Sequence, residues 1–221
     1  MNKIAIPSAQ ADSFVHDHLP PPEQWPELRF DLPELQLPAQ VNAVQALFER
    51  AIKAGHADRA LFRSDERTLS YAQAQAEVNR MANVFTVELG LVPGNRVLLR
   101  AANNPMLVAC WCAVLKAGGI CVTTMQLLRA RELVYIVEKA EIRHALCDIS
   151  LAEAMEETCS RKPELTETLY FTATGDGHAS LDKAITDKSG GFENCGAPLL
   201  VCMYHSSFCA PSRARVSLSP T

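Results

Sequence analysis

VLLRAANNPMLVACWCAVLKAGGICVT, residues 97–123, decides the fold. Val97, Leu98 and Leu99 are consecutive apolar residues, the pattern of a strand buried on both faces of a parallel sheet. Asn104 has an N-cap side chain, and Pro105 suits the first helical position, where its missing N–H leaves nothing unpaired. From Met106 the chain is apolar nearly all round, which predicts a helix covered on most sides. Gly118-Gly119 stops it, and Ile120–Thr123 predicts the next strand.

The pattern repeats downstream. Leu133, Val134, Ile136, Val137 and Ala140 line a further helix, His144–Cys147 predicts a third strand and Leu169–Phe171 a fourth. Strands alternating with helices imply βαβ units and hence a parallel sheet. Upstream, Val44, Leu47, Phe48, Ala51 and Ile52 recur at helical spacing, with Gly55 able to end that helix. Residues 59–63 and 67–69 predict a short hairpin around Ser64, Asp65 and Glu66. Ser70 with Gln73 forms a capping-box pattern ahead of a stripe of Val78, Met81, Ala82, Phe85 and Leu89, which Gly90 ends. The fold class expected is α/β: a partial parallel sheet with flanking helices.

The ends of the chain differ from this body. Residues 1–40 hold seven of the 13 prolines and no glycine. Pro20, Pro21, Pro22 and Pro26 exclude a helix interior or a central strand there. Phe14, Leu19, Trp25, Leu28, Phe30, Leu32 and Leu35 are too apolar for a linker, so an extended arm lying on a larger body is expected. His16 and His18 would share one side of such a segment, but no third ligand is patterned with them. After Lys188 lysine vanishes, and after Glu193 so do acids. No cap or periodic stripe follows. The expected organisation is therefore an arm (1–40), an α/β subdomain (41–188) and an irregular tail (189–221).

Composition excludes several function classes. The 221 residues carry a formal charge of −4, so there is no basic excess to neutralise phosphates, and nucleic-acid binding is not expected. The apolar run from Met106 to Leu115 is half of what a bilayer needs, and the N-terminus lacks the apolar core of a signal peptide. No membrane partner is expected, and the expected localisation is cytoplasmic. Eight cysteines (Cys110, Cys112, Cys121, Cys147, Cys159, Cys195, Cys202, Cys209) contain no CxxC pair. Cys110 and Cys112 on one helix point about 200° apart and cannot chelate one ion. Buried, reduced thiols are expected, and no metal.

Four segments in order, LSYAQAQAEVNRMANVF, LGLVPGNRVLLRAANNP, AVLKAGGICVTTM and RARELVYIVEKAEIRHALCD, resemble the N-terminal region of adenylate-forming enzymes, the acyl-CoA synthetase and luciferase superfamily. The arm DHLPPPEQWPELRFDLPEL, with RAANNPMLVACW and LLRAREL, is most similar to aromatic acid–CoA ligases of the 2-aminobenzoate and benzoate type. The resemblance covers residues 10 to about 172. It implies the N-terminal subdomain of that fold, incomplete here, and a two-step reaction. Mg·ATP and an aromatic carboxylate give an acyl-adenylate, whose AMP the CoA thiol displaces. The family's phosphate loop, of the form T-S-G-T-T-G-x-P-K-G, is expected where this chain has NCGAPLLVCMYHSSFCAPSRARV, and is not there.

An N-terminal fragment of such a ligase, inactive as this chain and prone to self-association, is the expectation. A non-catalytic binding module on the same scaffold is the alternative. A third reading, an unrelated nucleotide-binding domain, lacks a glycine in its first strand-to-helix turn, RAANNP. No residue is assigned a catalytic, cofactor-binding or metal role. ATP, Mg and CoA are implied for the full-length family only. Thr174-Gly175-Asp176 copies the family's ribose-binding T-G-D but precedes the expected phosphate loop, so it is expected to be a turn. Gly118-Gly119 follows a helix and precedes a strand, the reverse of a phosphate cradle, and Lys116 is expected to be a helix C-terminal cation. Residues from about 190 onward are expected to be out-of-frame translation.

Overall fold

The computed structural model describes residues 10–25, 31–33, 41–65, 67–175 and 177–192. Among the described residues two sheets are formed. Strands β1 (Ala60–Arg63) and β2 (Thr68–Ser70) make the expected antiparallel hairpin. Strands β3 (Arg96–Arg100), β4 (Ile120–Thr124), β5 (His144–Asp148) and β6 (Glu167–Phe171) form a wholly parallel sheet in the order β4-β3-β5-β6. All five residues of β3 and of β5 are buried, and their central residues, Val97–Leu99 and Ala145–Cys147, are apolar without alternation.

Helices cover both faces. Besides a short helix α1 (Phe14–Asp17), the chain forms α2 (Ala43–Lys53), α3 (Tyr71–Val87), α4 (Pro105–Lys116), α5 (Ala130–Lys139), α6 (Ala152–Arg161) and α7 (Ser180–Ala184). One core joins Phe48, Met81, Phe85, Met106, Val114 and Leu181 to Val97, Leu99, Leu146 and Phe171 of the sheet, so α2, α3, α4 and α7 share a face. The other joins Val137 and Met155 to Leu98, Val122, Ala145 and Cys147, so α5 and α6 share the opposite face. Residues 97 to 99 and 145 to 147 thus alternate between two cores, as the period of two requires.

Caps fix the helix starts. Ser70 and Gln73 make the full capping box of α3, and Asn104 accepts from Leu107 N at 2.8 Å with Pro105 in the first turn. Asn42 does more than cap α2. Its oxygen accepts from Val44 N and Gln45 N, while its amide nitrogen donates to Leu115 O (2.9 Å) and Lys116 O (3.2 Å) at the far end of α4. One side chain therefore ends one helix and starts another.

The described part of the arm docks at the amino end of the sheet. Ala11 N and Asp12 N both donate to Pro93 O at 2.9 Å. Asp12 pairs with Arg96 and accepts from Asn95 at 2.8 Å, and Phe14 lies over the Arg96 guanidinium at 4.3 Å. Gly94 has φ +96°, and a Cβ there would sit 2.3 Å from Asp12 O, so only glycine admits this approach. The segment is not extended throughout, because residues 14–17 close a helical turn. His16 and His18 are exposed and do not share one side of an extended chain there. His18 Nδ1 instead hydrogen-bonds Phe14 O at 2.6 Å.

At the other end, Asn79 donates to Gly190 O (2.6 Å), Asn83 donates to Ser189 O and Gly191 O, Lys188 pairs with Glu88, and Phe192 packs on the core. The packed body therefore runs past Lys188, to Phe192 at least. The rest of the expected tail, with Cys195, Cys202 and Cys209, lies outside the described residues. No helix among the described residues is long and apolar enough to cross a membrane.

Candidate functional site

In open parallel sheets ligands meet the carboxyl ends of the strands, where neighbouring strands send their connections to opposite faces. Here that place lies between β3 and β5. The chain leaves β3 for α4 on one face, and leaves β5 for α6 on the other. The crevice so defined is the candidate site.

Most of its polar groups are already engaged with protein partners. Asn104 Nδ2 donates to Asp148 Oδ2 at 3.1 Å across the crevice. Asp148 Oδ1 accepts from Ser150 N (3.0 Å) and Ser150 Oγ (2.7 Å), which caps the short 3-10 helix Ile149–Leu151. Arg100, 2% exposed, donates to Met125 O (3.1 Å), Gln126 O (3.0 Å) and Leu128 O (2.7 Å), drawing the loop after β4 over the end of β3. Its Nε has no partner, and burial pulls its pKa below the ordinary guanidinium value. Beside β6, Asp182 Oδ2 accepts from Thr172 Oγ1 (2.8 Å) and Thr172 N (3.3 Å), while Asp182 Oδ1 is buried without a partner.

The chemistry of this donor set can be tested against the Mg·ATP implied by the sequence. A triphosphate needs converging backbone N–H groups or free cations, and its Mg needs a free carboxylate. Asn104 and Asp148 spend their polar atoms on each other, on Leu107 and on Ser150, and Arg100 spends its fork on carbonyls. These crevice groups do not fit a nucleotide triphosphate. Nor do the described residues group three His, Cys, Asp or Glu side chains that could hold a metal.

The residues weighed from the sequence fall elsewhere. Gly118 (φ +80°) and Gly119 are buried between α4 and β4, with Gly118 O accepting from Gly94 N, at the amino end of the sheet. Lys116 does end α4, but it is buried, with its Nζ 5.9 Å from the Phe48 ring centre. Burial lowers its pKa and Glu49 opposes that. Gly175 takes φ +66° and donates to Thr172 O at 3.1 Å, a turn, while Asp176 lies outside the described residues. Cys110, Cys112 and Cys147 are buried free thiols. Sequence reading missed Arg67, Glu77, Arg100, Asp148 and Asp182. Each is polar in an apolar setting, and only the tertiary partner explains it.

The family model for AMP-binding enzyme matches residues 48–199, which includes residues assigned from sequence to the tail. The 3-hydroxybenzoate–CoA/4-hydroxybenzoate–CoA ligase of Thauera aromatica is 26% identical over 143 residues, covering 65% of this chain and 27% of that protein. Among solved structures, the anthranilate CoA ligase AuaEII in complex with anthranoyl-AMP superposes with TM-score 0.68 at 22% identity, covering 76% of this chain and 31% of that one. A benzoate CoA ligase from Burkholderia xenovorans LB400 gives TM-score 0.59 at 17% identity, covering 69% and 29%. The chain thus spans about a quarter to a third of the length of these proteins. The fold is that of the N-terminal subdomain of adenylate-forming enzymes, and with the match running through most of its length, the chain belongs to the AMP-binding enzyme family.

Proposed function

We propose that this chain is the N-terminal portion of an ATP-dependent aromatic acid–CoA ligase of the 2-aminobenzoate/benzoate type, and that it does not catalyse adenylation by itself. The observation that carries the choice of substrate class is the match to the hydroxybenzoate ligase over 65% of the chain. The aromatic carboxylate, ATP with Mg, and CoA are the partners of the whole enzyme under this reading. Inactivity rests on the crevice, where Asn104, Asp148 and the Arg100 fork are already engaged with protein groups, and on a sequence without a T-S-G-T-T-G-x-P-K-G loop. Residues 1–40 act as an arm, and the α/β subdomain begins at residue 41 and runs at least to Phe192. The protein works in the cytoplasm, with no nucleic-acid or membrane partner.

Carboxylate-dependent ATP–pyrophosphate exchange, with benzoate and 2-aminobenzoate as substrates, tests this. No exchange above a mock preparation is expected. Exchange above that background sinks the inactivity. The gene decides the status of the tail. A shifted frame near codon 190 that encodes a T-S-G-T-T-G-type loop followed by lysine supports a slipped frame, and no such frame overturns it.

A further inference from the structure

A part-buried polar cluster on the face of α3 and α4 is not used by the proposed reaction. Arg67, in the turn between β1 and β2, reaches away from its hairpin. Its Nη1 donates to Glu77 Oε1 of α3 (3.1 Å) and to Thr174 O in the loop after β6 (3.1 Å), and its Nη2 pairs with Glu77 Oε2. Met106 Sδ of α4 lies 3.7 Å from Nη1. The Glu77 side chain is 4% exposed, so its charge is held away from water and needs the guanidinium. The loop is pressed onto this group. A Cβ at Gly175 would meet Arg67 Nη1 at 3.0 Å and Met106 Sδ at 3.1 Å, at a φ that already favours glycine.

We infer that Arg67 is a positioning residue: oriented by Glu77, it presets the loop Thr172–Gly175 at the carboxyl end of β6. Planar and forked, a guanidinium can hold a carboxylate bidentately and still direct an N–H at a carbonyl, which a lysine ammonium cannot do in the same geometry. A separate anchor, Asp182, holds Thr172 through its N–H and hydroxyl and holds Ala179 N at 3.4 Å. The Arg67 anchor acts on Thr174, and the Asp182 anchor acts on the loop's two flanks. Removing the first should free the loop locally and leave the sheet intact. The inference does not depend on the substrate proposed above.

Hydrogen exchange on the full chain reads this directly, because the Gly175 amide is bonded to Thr172 O inside the loop. The double variant R67M/E77L removes both charges together, so no buried carboxylate is stranded. Exchange at Gly175 should rise by about tenfold or more, with amides of β3 and β5 unchanged, as for a local opening. R67K, which keeps a cation for Glu77, should give the same local rise. Unchanged exchange at Gly175 in the folded double variant overturns the assignment. So does an equal rise across β3 and β5, which would make Arg67 part of global stability only. If R67M/E77L does not fold, R67K alone decides by the same two criteria.

Discussion

Asn104 donates its side-chain amide to the Asp148 carboxylate at 3.1 Å, joining the ends of two neighbouring parallel strands where their connections part. The same Asn104 oxygen caps α4 through Leu107 N, and the same carboxylate caps the turn after β5 through Ser150. Each residue therefore serves its own helix and its neighbour's.

Asn104→Ala should lose both roles. Loss of an N-cap costs about 1 kcal/mol, and a partly buried hydrogen bond to a carboxylate adds about 1–2 kcal/mol. Urea denaturation should show about 2–3 kcal/mol in total. N104A, D148A and the double variant form a cycle, in which coupling above about 0.5 kcal/mol is expected for groups in contact. Strict additivity would mean that the bridge contributes nothing.

His144 sets an acid limb of stability. It is 7% exposed, its Nδ1 has no partner, and burial lowers its pKa from the ordinary 6.5. Glu167 opposes that shift, while Arg143 and Arg96 reinforce it. The unfolded chain therefore binds this proton more readily than the fold. The contribution is complete above about pH 6.5 and declines as pH falls below it, by at most about 1.4 kcal/mol per pH unit. His144→Asn should flatten the profile between pH 7 and pH 5. A parallel slope in the variant would assign the limb to another group.

Three thiols should be silent in the folded state. Burial pushes Cys147 up to about 12 and Cys112 up to about 11, and Cys110 rises well above its ordinary value for the same reason. The thiolate is the reactive form, so brief iodoacetamide treatment at pH 8 should leave these three unmodified and label them only after denaturation. Peptide mass spectrometry gives the occupancy at each site. Rapid native labelling of Cys147 would contradict its burial.

Self-association is expected through exposed apolar side chains near β4, an outer strand of the described sheet. Trp111 is 41% exposed, Leu127 77% and Met125 66%, and none of the five residues of β4 is charged, so nothing there repels a second strand. Light scattering coupled to gel filtration should show species above the monomer mass, reduced in W111Q/L127Q. A monodisperse monomer for the unsubstituted chain would refute this.

The sequence alone carried the sheet and the parallel direction of its strands. Runs such as Val97–Leu99 and His144–Cys147 can only be strands buried on two faces, and Asn104-Pro105, Ser70 with Gln73, and Gly118-Gly119 mark helix ends by local chemistry that needs no partner. The four ordered segments carried the family for the same reason, since they are local. What only the tertiary structure decided is where polar groups spend their hydrogen bonds. Lys116 follows the local rule for a helix end yet is buried against Phe48. Asn42 reads as one cap and serves two helices 73 residues apart. Arg67 reads as the start of a hairpin strand and holds a loop 107 residues away. A side chain's spacing in sequence fixes its element, but a hydrogen bond across the fold depends on which distant carbonyl or carboxylate the topology delivers within about 3 Å, and no local period encodes that.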